Sequence, residues 1–312
     1  MRTHGTAGHL IIAVLALTLT FGSGPAALTV ASGPLLWQGR LDAHQVWLFG
    51  TIHVPDARVL ALAPVVQQAF DRADRVVTEI PLDGAHQVEL ASALLLPDGQ
   101  RLRAIIGEAQ FSRLETRVRV ALARDAPEVA PLIGIMLDRL KPWAALAQLA
   151  SLDYLPELLA GKASLDAHLY GQATAAGKQV GGLETIAEQA GTFDAFSPTE
   201  QAALLDEALR DLESPTRSTT GAALVEWYVE GNGEKLAATL SQGRSDAALA
   251  RKFQAEVLVK RNHRMADRID ALRRTAPGER LFVAVGALHL VGPDNLPQLL
   301  GARGYDISRV RP

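Results

Sequence analysis

Residues 46–53 read Val46-Trp47-Leu48-Phe49-Gly50-Thr51-Ile52-His53, and residues 281–289 repeat the pattern as Leu281-Phe282-Val283-Ala284-Val285-Gly286-Ala287-Leu288-His289. Each stretch is a short apolar run, typical of a buried strand, that ends in Gly-x-x-His. Glycine after a strand permits a tight turn and a close approach of the backbone to a ligand. Because the carboxyl ends of parallel strands line the crevice of an open α/β sheet, we expect the two histidines to meet in one site. The alternative is that each histidine only caps the end of its strand.

Two further stretches, Arg75–Ile80 and Gln179–Leu183, also have the composition of strands. Helical patterns separate each of the first three strands from the next, which favours a parallel sheet. Residues Gln38–Leu41 are expected to form a short hairpin with Val46–Phe49 at the sheet edge. The sequence thus predicts an α/β fold with a small central, mostly parallel sheet flanked by helices.

One domain over residues 35–310 accounts for this pattern, with a helical insertion at about 85–161. Prolines cut the insertion into short helices, and they lie at Pro127, Pro131, Pro142 and Pro156. We interpret it as a lid or second lobe over the crevice. The alternative is ordinary helical packing on the sheet. A second helical region is predicted from Pro198 to about Arg274.

The first 31 residues have the layout of a secretory signal. A single arginine, Arg2, precedes an apolar stretch at residues 10–21, and small residues follow at 22–27. This order predicts a periplasmic or secreted protein. The alternative is an uncleaved membrane anchor through residues 10–21, which would be the chain's only membrane contact.

Composition narrows the possible chemistry. The chain has no cysteine, which excludes disulfides, a lipoprotein signal and a thiolate metal site. Its net charge is −3, and there is no basic run, so we expect no nucleic-acid partner. It also lacks the His-Glu-x-x-His motif of helix-borne zinc peptidases and the Gly-x-Ser-x-Gly motif of a nucleophile elbow.

Carboxylates end the two intervening strands. Glu79 stands at the end of the second strand and Glu184 at the end of the third, so all four strands deliver an ionisable group, together with His53 and His289. Two histidines and one or two carboxylates suit Zn²⁺, Mn²⁺ or Co²⁺ with a position left open for water. Such a metal lowers the pKa of its bound water. The alternative for Glu184 is a carboxylate favoured by the dipole at a helix start.

Arg261 lies within the apolar stripe of a predicted long helix over residues 246–274. An unpaired charge there is costly, so Arg261 should meet a carboxylate or point into the site. Its two possible roles are a structural Arg–Glu pair and stabilisation of a developing negative charge.

Several segments of this chain together resemble a known family. They are Leu48–His53, Val77–Ile80, Gly177–Thr185, Arg261-Asn262, Val285–Leu290 and Leu299–Ile307, in that order. The chain resembles the TraB/GumN family, which includes the Tiki proteins. This resemblance implies a metallopeptidase in which His53, His289 and Glu79 form the metal site. The family is also similar to erythromycin esterases and to haem-binding ChaN-like proteins.

The leading hypothesis is a secreted or periplasmic metal-dependent hydrolase, a Tiki-like peptidase acting on a peptide or small molecule. His53 and His289 would hold the metal, with Glu79 as third ligand or general base. Glu184 and Arg261 would orient groups or stabilise negative charge. The alternatives are an esterase-type hydrolase, a small-molecule or haem-binding protein with an axial histidine, and a folded interaction module.

Overall fold

The computed structural model describes residues 33–214, 220–239 and 246–311. The predicted signal at 1–31 lies outside the described residues, as does the alternative anchor at 10–21. In the described ranges, no helix is both long enough and apolar enough to cross a membrane.

A six-stranded sheet forms the centre of the structure. Its strands are β1 (Leu36–Leu41), β2 (His44–Thr51), β3 (Arg75–Thr78), β4 (Gln179–Gly182), β5 (Arg280–Gly286) and β6 (Asp306–Arg309). Their order across the sheet is β4-β3-β5-β2-β1-β6. Neighbours from β4 to β2 are parallel, whereas β1 and β6 are antiparallel to their neighbours. The predicted α/β class with a mostly parallel sheet is confirmed.

β5 lies between β3 and β2, which makes the two Gly-x-x-His strands direct neighbours. In their parallel register Gly50 pairs with Val285, and Thr51 pairs with Gly286. Residues Leu281–Val285 are buried throughout, as expected for a parallel strand that is covered on both faces. The two motifs therefore leave the sheet side by side at its carboxyl edge.

The predicted hairpin of β1 and β2 is present, but its predicted position at the sheet edge is wrong. β6 pairs with β1 on the outside and is itself the edge strand. β6 has only four residues, which alternate between exposed and half-buried. It therefore lacks the apolar run by which the inner strands are recognisable.

Helices cover the sheet and extend beyond it. The α-helices span Ala57–Leu60, Pro64–Arg72, Gly84–Ala93, Leu102–Ile106, Glu108–Asp125, Ile133–Leu137, Pro142–Ser151, Leu155–Leu159, Leu165–Ala175, Ile186–Asp194, Pro198–Glu213, Gly221–Val229, Gly233–Ala238, Ala247–Phe253, Lys260–Thr275 and Leu296–Ala302. Short 3-10 turns cover Ala130–Leu132, Leu152–Tyr154 and Ala287–Leu290.

Three apolar clusters stabilise the described part of the chain. Two lie on opposite faces of the sheet, because alternate residues of β5 enter different clusters: Phe282 joins one and Val283 the other. The third cluster is built from helices, with buried Phe111 and Leu146 from the predicted insertion, and takes only Ile80 from the end of a sheet strand. The insertion packs mainly on other helices, and its role as a lid stays a prediction.

The predicted long helix over residues 246–274 is divided. An α-helix ends at Phe253, a π-helical stretch covers Gln254–Val259, and a second α-helix covers Lys260–Thr275. Arg261 is the second residue after the π stretch, and its Nη1 donates a hydrogen bond of 3.4 Å to the Val257 carbonyl. A π-helical turn shifts the helical register and is frequent at functional sites.

We expect Val283→Ala to lower the free energy of unfolding by about 2 kcal/mol, because it removes two buried methyl groups and leaves a cavity. The matched control is Val88→Ala on helix Gly84–Ala93, where the valine is 68% exposed; there the change should stay below about 0.5 kcal/mol. Urea denaturation of both variants measures the difference. Equal losses would contradict the central place of β5.

Candidate active site

His53 follows β2 and is held from behind by a carboxylate. Its Nδ1 lies 2.6 Å from Oδ2 of Asp166 on helix Leu165–Ala175. The other oxygen of Asp166 accepts a 2.7 Å hydrogen bond from the Thr51 hydroxyl. Nε2 of His53 is thereby turned toward Glu79, whose Oε1 lies 4.0 Å away. The His53 side chain is 22% exposed, so one side of this imidazole reaches solvent.

His289 lies in the 3-10 turn after β5 and is almost fully buried. Its Nδ1 is 2.6 Å from Oδ1 of Asn262, while Nδ2 of Asn262 donates to the Asp294 carbonyl at 2.8 Å. Because that amide nitrogen is committed as a donor, Oδ1 accepts and Nδ1 of His289 carries the proton. The lone pair of the neutral ring is then on Nε2, which lies 3.6 Å from Oε1 of Glu79.

Glu79 is the point on which the two histidines converge. Its Oε1 accepts a hydrogen bond of 2.7 Å from the backbone N–H of Gly286. Its Oε2 accepts hydrogen bonds from Gln189 at 2.9 Å and from Arg261 at 2.6 Å. Burial would raise the pKa of this carboxyl, but the nearby Arg261 guanidinium and the imidazoles outweigh it and hold the pKa well below 4.5. Glu79 is therefore ionised across the neutral range.

Arg261 joins Glu79 to Glu184. Its Nη2 lies 2.6 Å from a carboxylate oxygen of each residue, and Arg264 pairs with the second oxygen of Glu184. The Glu184 side chain is fully buried behind the guanidinium. Three of the four predicted strand-end groups thus face one another directly, whereas Glu184 contacts them through Arg261. The expected Arg–Glu pair exists, and it includes Glu79 as well.

The two histidines have opposite shifts in pKa. Burial alone would lower the pKa of His53, but the carboxylates of Asp166 and Glu79 outweigh it and raise the pKa to about 9. Burial lowers the pKa of His289 to about 4, with a further contribution from Arg261. In the metal-free chain at neutral pH, His53 is therefore charged and His289 is neutral.

The glycines of both motifs lie where an added Cβ would be crowded. A Cβ on Gly50 would lie 3.1 Å from Cα of Ala287, so this glycine permits the first motif to pack against the second. A Cβ on Gly286 would lie 3.0 Å from Oε1 of Glu79 and 3.8 Å from Nε2 of His53. It would enter the space between the converging groups.

The donor types around Glu79 are ones that a divalent metal accepts, but their present positions do not form a ready metal site. Histidine ligands usually bind through one nitrogen while the other donates to a carboxylate or amide oxygen, as Asp166 and Asn262 allow here. Two ligand atoms that each bind one metal ion at about 2.1 Å can be at most about 4.2 Å apart. Nε2 of His53 lies 4.0 Å from Oε1 of Glu79 and Nε2 of His289 lies 3.6 Å from it, so both distances are within this limit. As the side chains stand, no group of three or more His, Cys, Asp or Glu residues in the described ranges could hold a metal ion. Both Glu79 oxygens are already engaged by Gly286, Gln189 and Arg261.

Sequence reasoning missed three residues that orient the site: Asp166, Asn262 and Gln189. Asp166 occupies the first turn of a helix, where an acidic residue is common for other reasons. Gln189 lies on helix Ile186–Asp194 and carries no charge that would mark it as unusual. Asn262 gave a weak signal, because a second polar residue beside Arg261 faces the buried side of the same helix.

Comparison with known proteins adds family information. The model of the TraB/PrgY/gumN family matches residues 35–309. The chain is similar to "Metalloprotease TIKI homolog" of Nematostella vectensis, with 26% identity over 85% of this chain and 65% of that protein. It is similar to "Metalloprotease TIKI1" of Danio rerio, with 25% identity over 88% of this chain and 62% of the relative. It is also similar to "Metalloprotease TIKI1" of Homo sapiens, with 24% identity over 88% of this chain and 61% of that protein.

The chain thus spans less than two thirds of the length of these relatives. No solved structure matches it.

We expect Arg261→Met to lower the free energy of unfolding by about 3–5 kcal/mol, because it leaves Glu79 and Glu184 buried without their shared cation. Arg264→Met is the matched control. Arg264 also pairs with Glu184 but is 31% exposed, so its loss should cost about 1 kcal/mol or less. Chemical denaturation at pH 7 measures both. Similar losses in the two variants would mean that Arg261 has no special role.

We expect Asp166→Asn to lower the pKa of His53 from about 9, because only the Glu79 carboxylate then opposes the effect of burial. A raised pKa stabilises the fold fully below 6.5, and this contribution is lost as the pH rises through about 9. The free energy of unfolding of the variant should therefore fall furthest below that of the parent in acid. The difference between the two proteins should disappear above pH 9. Imidazole NMR titration of the metal-free chain, with His263 as internal control, tests this. An unchanged His53 titration would contradict it.

Proposed function

This chain belongs to the TraB/PrgY/gumN family, and on that premise we propose that it is a metal-dependent hydrolase that cleaves peptides. The observation that carries the proposal is the convergence of two imidazoles on one carboxylate. Nε2 of His53 and Nε2 of His289 both face Oε1 of Glu79, and both Nδ1 atoms are held from behind. The relatives' printed name, metalloprotease, supports the peptide as substrate class.

His53, His289 and Glu79 are the residues that would hold the metal. A bound divalent ion supplies a water of lowered pKa and polarises the carbonyl to be attacked. The identity of the ion is left among Zn²⁺, Mn²⁺ and Co²⁺, which all accept imidazole and carboxylate ligands. Asp166 and Asn262 hold the rings so that each Nε2 faces inward.

Glu79 acts as a ligand and as a fixed negative charge rather than as the general base. Its pKa is far below the neutral range, and hydrogen-bond donors engage both of its oxygens. A carboxylate of this kind has little tendency to take up a proton at neutral pH. His53 cannot take that role while its Nε2 holds the metal, because its Nδ1 is engaged by Asp166.

Arg261 and Glu184 are positioning residues in this proposal. The Arg261 side chain is only 5% exposed and contacts Oε2 of Glu79, whereas the histidines face Oε1. It holds Glu79 in place and keeps it ionised. The Arg261 guanidinium also forms an ion pair with Glu184. Neither side chain needs to touch the substrate.

A haem-binding role gains less support from the same geometry. An axial imidazole needs its free nitrogen to face the haem iron. In this structure Nε2 of His289 faces a carboxylate oxygen 3.6 Å away, and the ring is almost fully buried. We further propose that the protein acts in the periplasm or outside the cell, on the basis of the signal pattern at residues 1–31.

Metal analysis of the purified full chain tests the site. We expect about one ion per chain after loading with Zn²⁺, Mn²⁺ or Co²⁺, and a loss of binding in His53→Ala and in His289→Ala, because each removes one ligand. His263→Ala is the control, since His263 is exposed on helix Lys260–Thr275. Asp166→Asn and Asn262→Ala should weaken metal binding by about 10- to 100-fold. Equally low metal content in all of these proteins would contradict the proposal.

The same proteins test peptide cleavage. The loaded chain should cleave members of a mixed peptide library, and a chelator should abolish the cleavage. His53→Ala and His289→Ala should be inactive, while His263→Ala keeps the parental rate. Metal binding without any cleavage would keep the metal site but overturn the peptidase.

A further inference from the structure

A cavity of about 650 Å³ is lined in part by residues that follow His53 in the chain. These are Asp56 and Arg58, three and five residues after His53. Arg117 and Arg124 of helix Glu108–Asp125 and the side chain of Tyr154 also line it. We refer to this space, defined by these five residues, as the cation cavity.

The cation cavity lies close to the metal-binding face. Three residues of extended chain span at most about 11 Å, which limits the distance between the Cα atoms of His53 and Asp56. Thr220, which lines the cavity, caps helix Gly221–Val229, and Tyr228 near the far end of that helix donates a 2.7 Å hydrogen bond to the Gly50 carbonyl. The cavity is thus tied to the first Gly-x-x-His motif from two sides.

Positive charge exceeds negative charge among the residues that line the cavity. Three arginines face two carboxylates, Asp56 and Asp153. Asp56 is already bound by Arg58 through contacts of 2.8 and 3.0 Å. Asp153 accepts a hydrogen bond from the backbone of Gly221. Arg124 pairs with its neighbour Asp125, at 2.8 Å.

Of the three arginines that line the cavity, Arg117 is the one without a carboxylate partner in the described ranges. It makes no hydrogen bond or ion pair with another residue of the described ranges, and its Nε is buried without a partner. A buried donor without a partner costs free energy unless a ligand or water satisfies it. Tyr154 adds a second donor, because burial raises its pKa to about 12 and the hydroxyl keeps its proton.

We propose that the cation cavity binds a carboxylate of the peptide substrate, with the Arg117 guanidinium as its anchor and the Tyr154 hydroxyl as a second donor. This inference rests on the proposed peptidase function. A guanidinium forms two parallel hydrogen bonds to a carboxylate, which gives geometric specificity as well as attraction. Val120 and Leu152 supply apolar surface beside the arginine, which suits the aliphatic part of a residue that carries the carboxylate.

An extended peptide advances about 3.3 Å per residue, and the Cα of Asp56 on the cavity lining lies within about 11 Å of that of His53. A substrate residue a few positions from the scissile bond can therefore reach this lining. The carboxylate can come from the end of the substrate chain or from an aspartate or glutamate side chain. Either source presents the same group to Arg117.

Peptide binding to the metal-free full chain tests the subsite without turnover. The probes are a fluorescently labelled alanine–leucine hexapeptide with a free carboxyl terminus, its carboxamide, and a carboxamide with one internal aspartate. In fluorescence anisotropy we expect a carboxylate-bearing probe to bind about 10- to 100-fold more tightly than the neutral carboxamide, the range of one charge-assisted hydrogen bond. Which of the two acidic probes gains identifies the source of the carboxylate.

Variants of the same helix assign the effect to Arg117. Arg117→Gln should abolish the preference, and Arg117→Lys, which keeps the charge but loses the forked geometry, should retain part of it. Arg119→Gln is the matched control, because Arg119 is exposed two residues further on and pairs with Glu115. It should behave as the parent does. Circular dichroism and thermal melting verify that each variant is folded.

The outcomes separate this inference from the proposed function. A carboxylate preference that depends on Arg117, without cleavage by the metal-loaded chain, would support the subsite and overturn the peptidase. Cleavage in which carboxylates near the cut bond make no difference, in the parent and in Arg117→Gln alike, would overturn the subsite and leave the peptidase standing. Equal binding of all three probes would also overturn the subsite.

Discussion

The buried guanidinium of Arg261 is the contact on which the site depends. It joins Glu79, which follows β3, to Glu184, which follows β4, and it does so from helix Lys260–Thr275. The backbones of the two glutamates are also adjacent, since the N–H of Glu184 donates to the Glu79 carbonyl at 2.7 Å. Two carboxylates held so close would repel each other without a cation between them. The arginine therefore determines both the place and the charge of the group that the histidines face.

Two copies of one motif serve different purposes because their surroundings differ. His53 is backed by the carboxylate of Asp166 and reaches solvent, whereas His289 is backed by the neutral amide of Asn262 and is buried. A negative partner raises the pKa of an imidazole, and burial beside a neutral partner lowers it. The pair is thus electrically asymmetric although the sequence motif is the same.

The sequence contained enough information to predict the sheet and to identify most of the side chains that meet at its carboxyl edge. Continuous apolar runs marked β2 and β5, and the rule that parallel strands share a carboxyl edge placed His53, Glu79, Glu184 and His289 together. Arg261 was recognisable because a charge in an apolar stripe needs a partner. These inferences depend on hydrophobicity and on the spacing of apolar residues, both of which are visible in the sequence.

Other features depended on contacts between distant segments, for which no single residue gives a signal. β6 alternates weakly and is recognisable only by its pairing with β1. Asp166 has the appearance of an ordinary helix-start acid until Thr51 and His53 are placed beside it. The π-helical stretch breaks the period of 3.6 that was used to predict a single helix, and no glycine or proline within it marks the change.

That π-helical stretch gives the site a tolerance to chain length at one point of this helix. A π-helical turn holds one residue more than an α-helical turn. Loss of one residue from Gln254–Val259 can therefore be absorbed by a return to α-helical hydrogen bonding, with Arg261 and Asn262 still on the face that meets Glu79 and His289. Within Lys260–Thr275, where the hydrogen bonding is already α-helical, the same loss would turn the rest of the helix by about 100°, the angle of one residue.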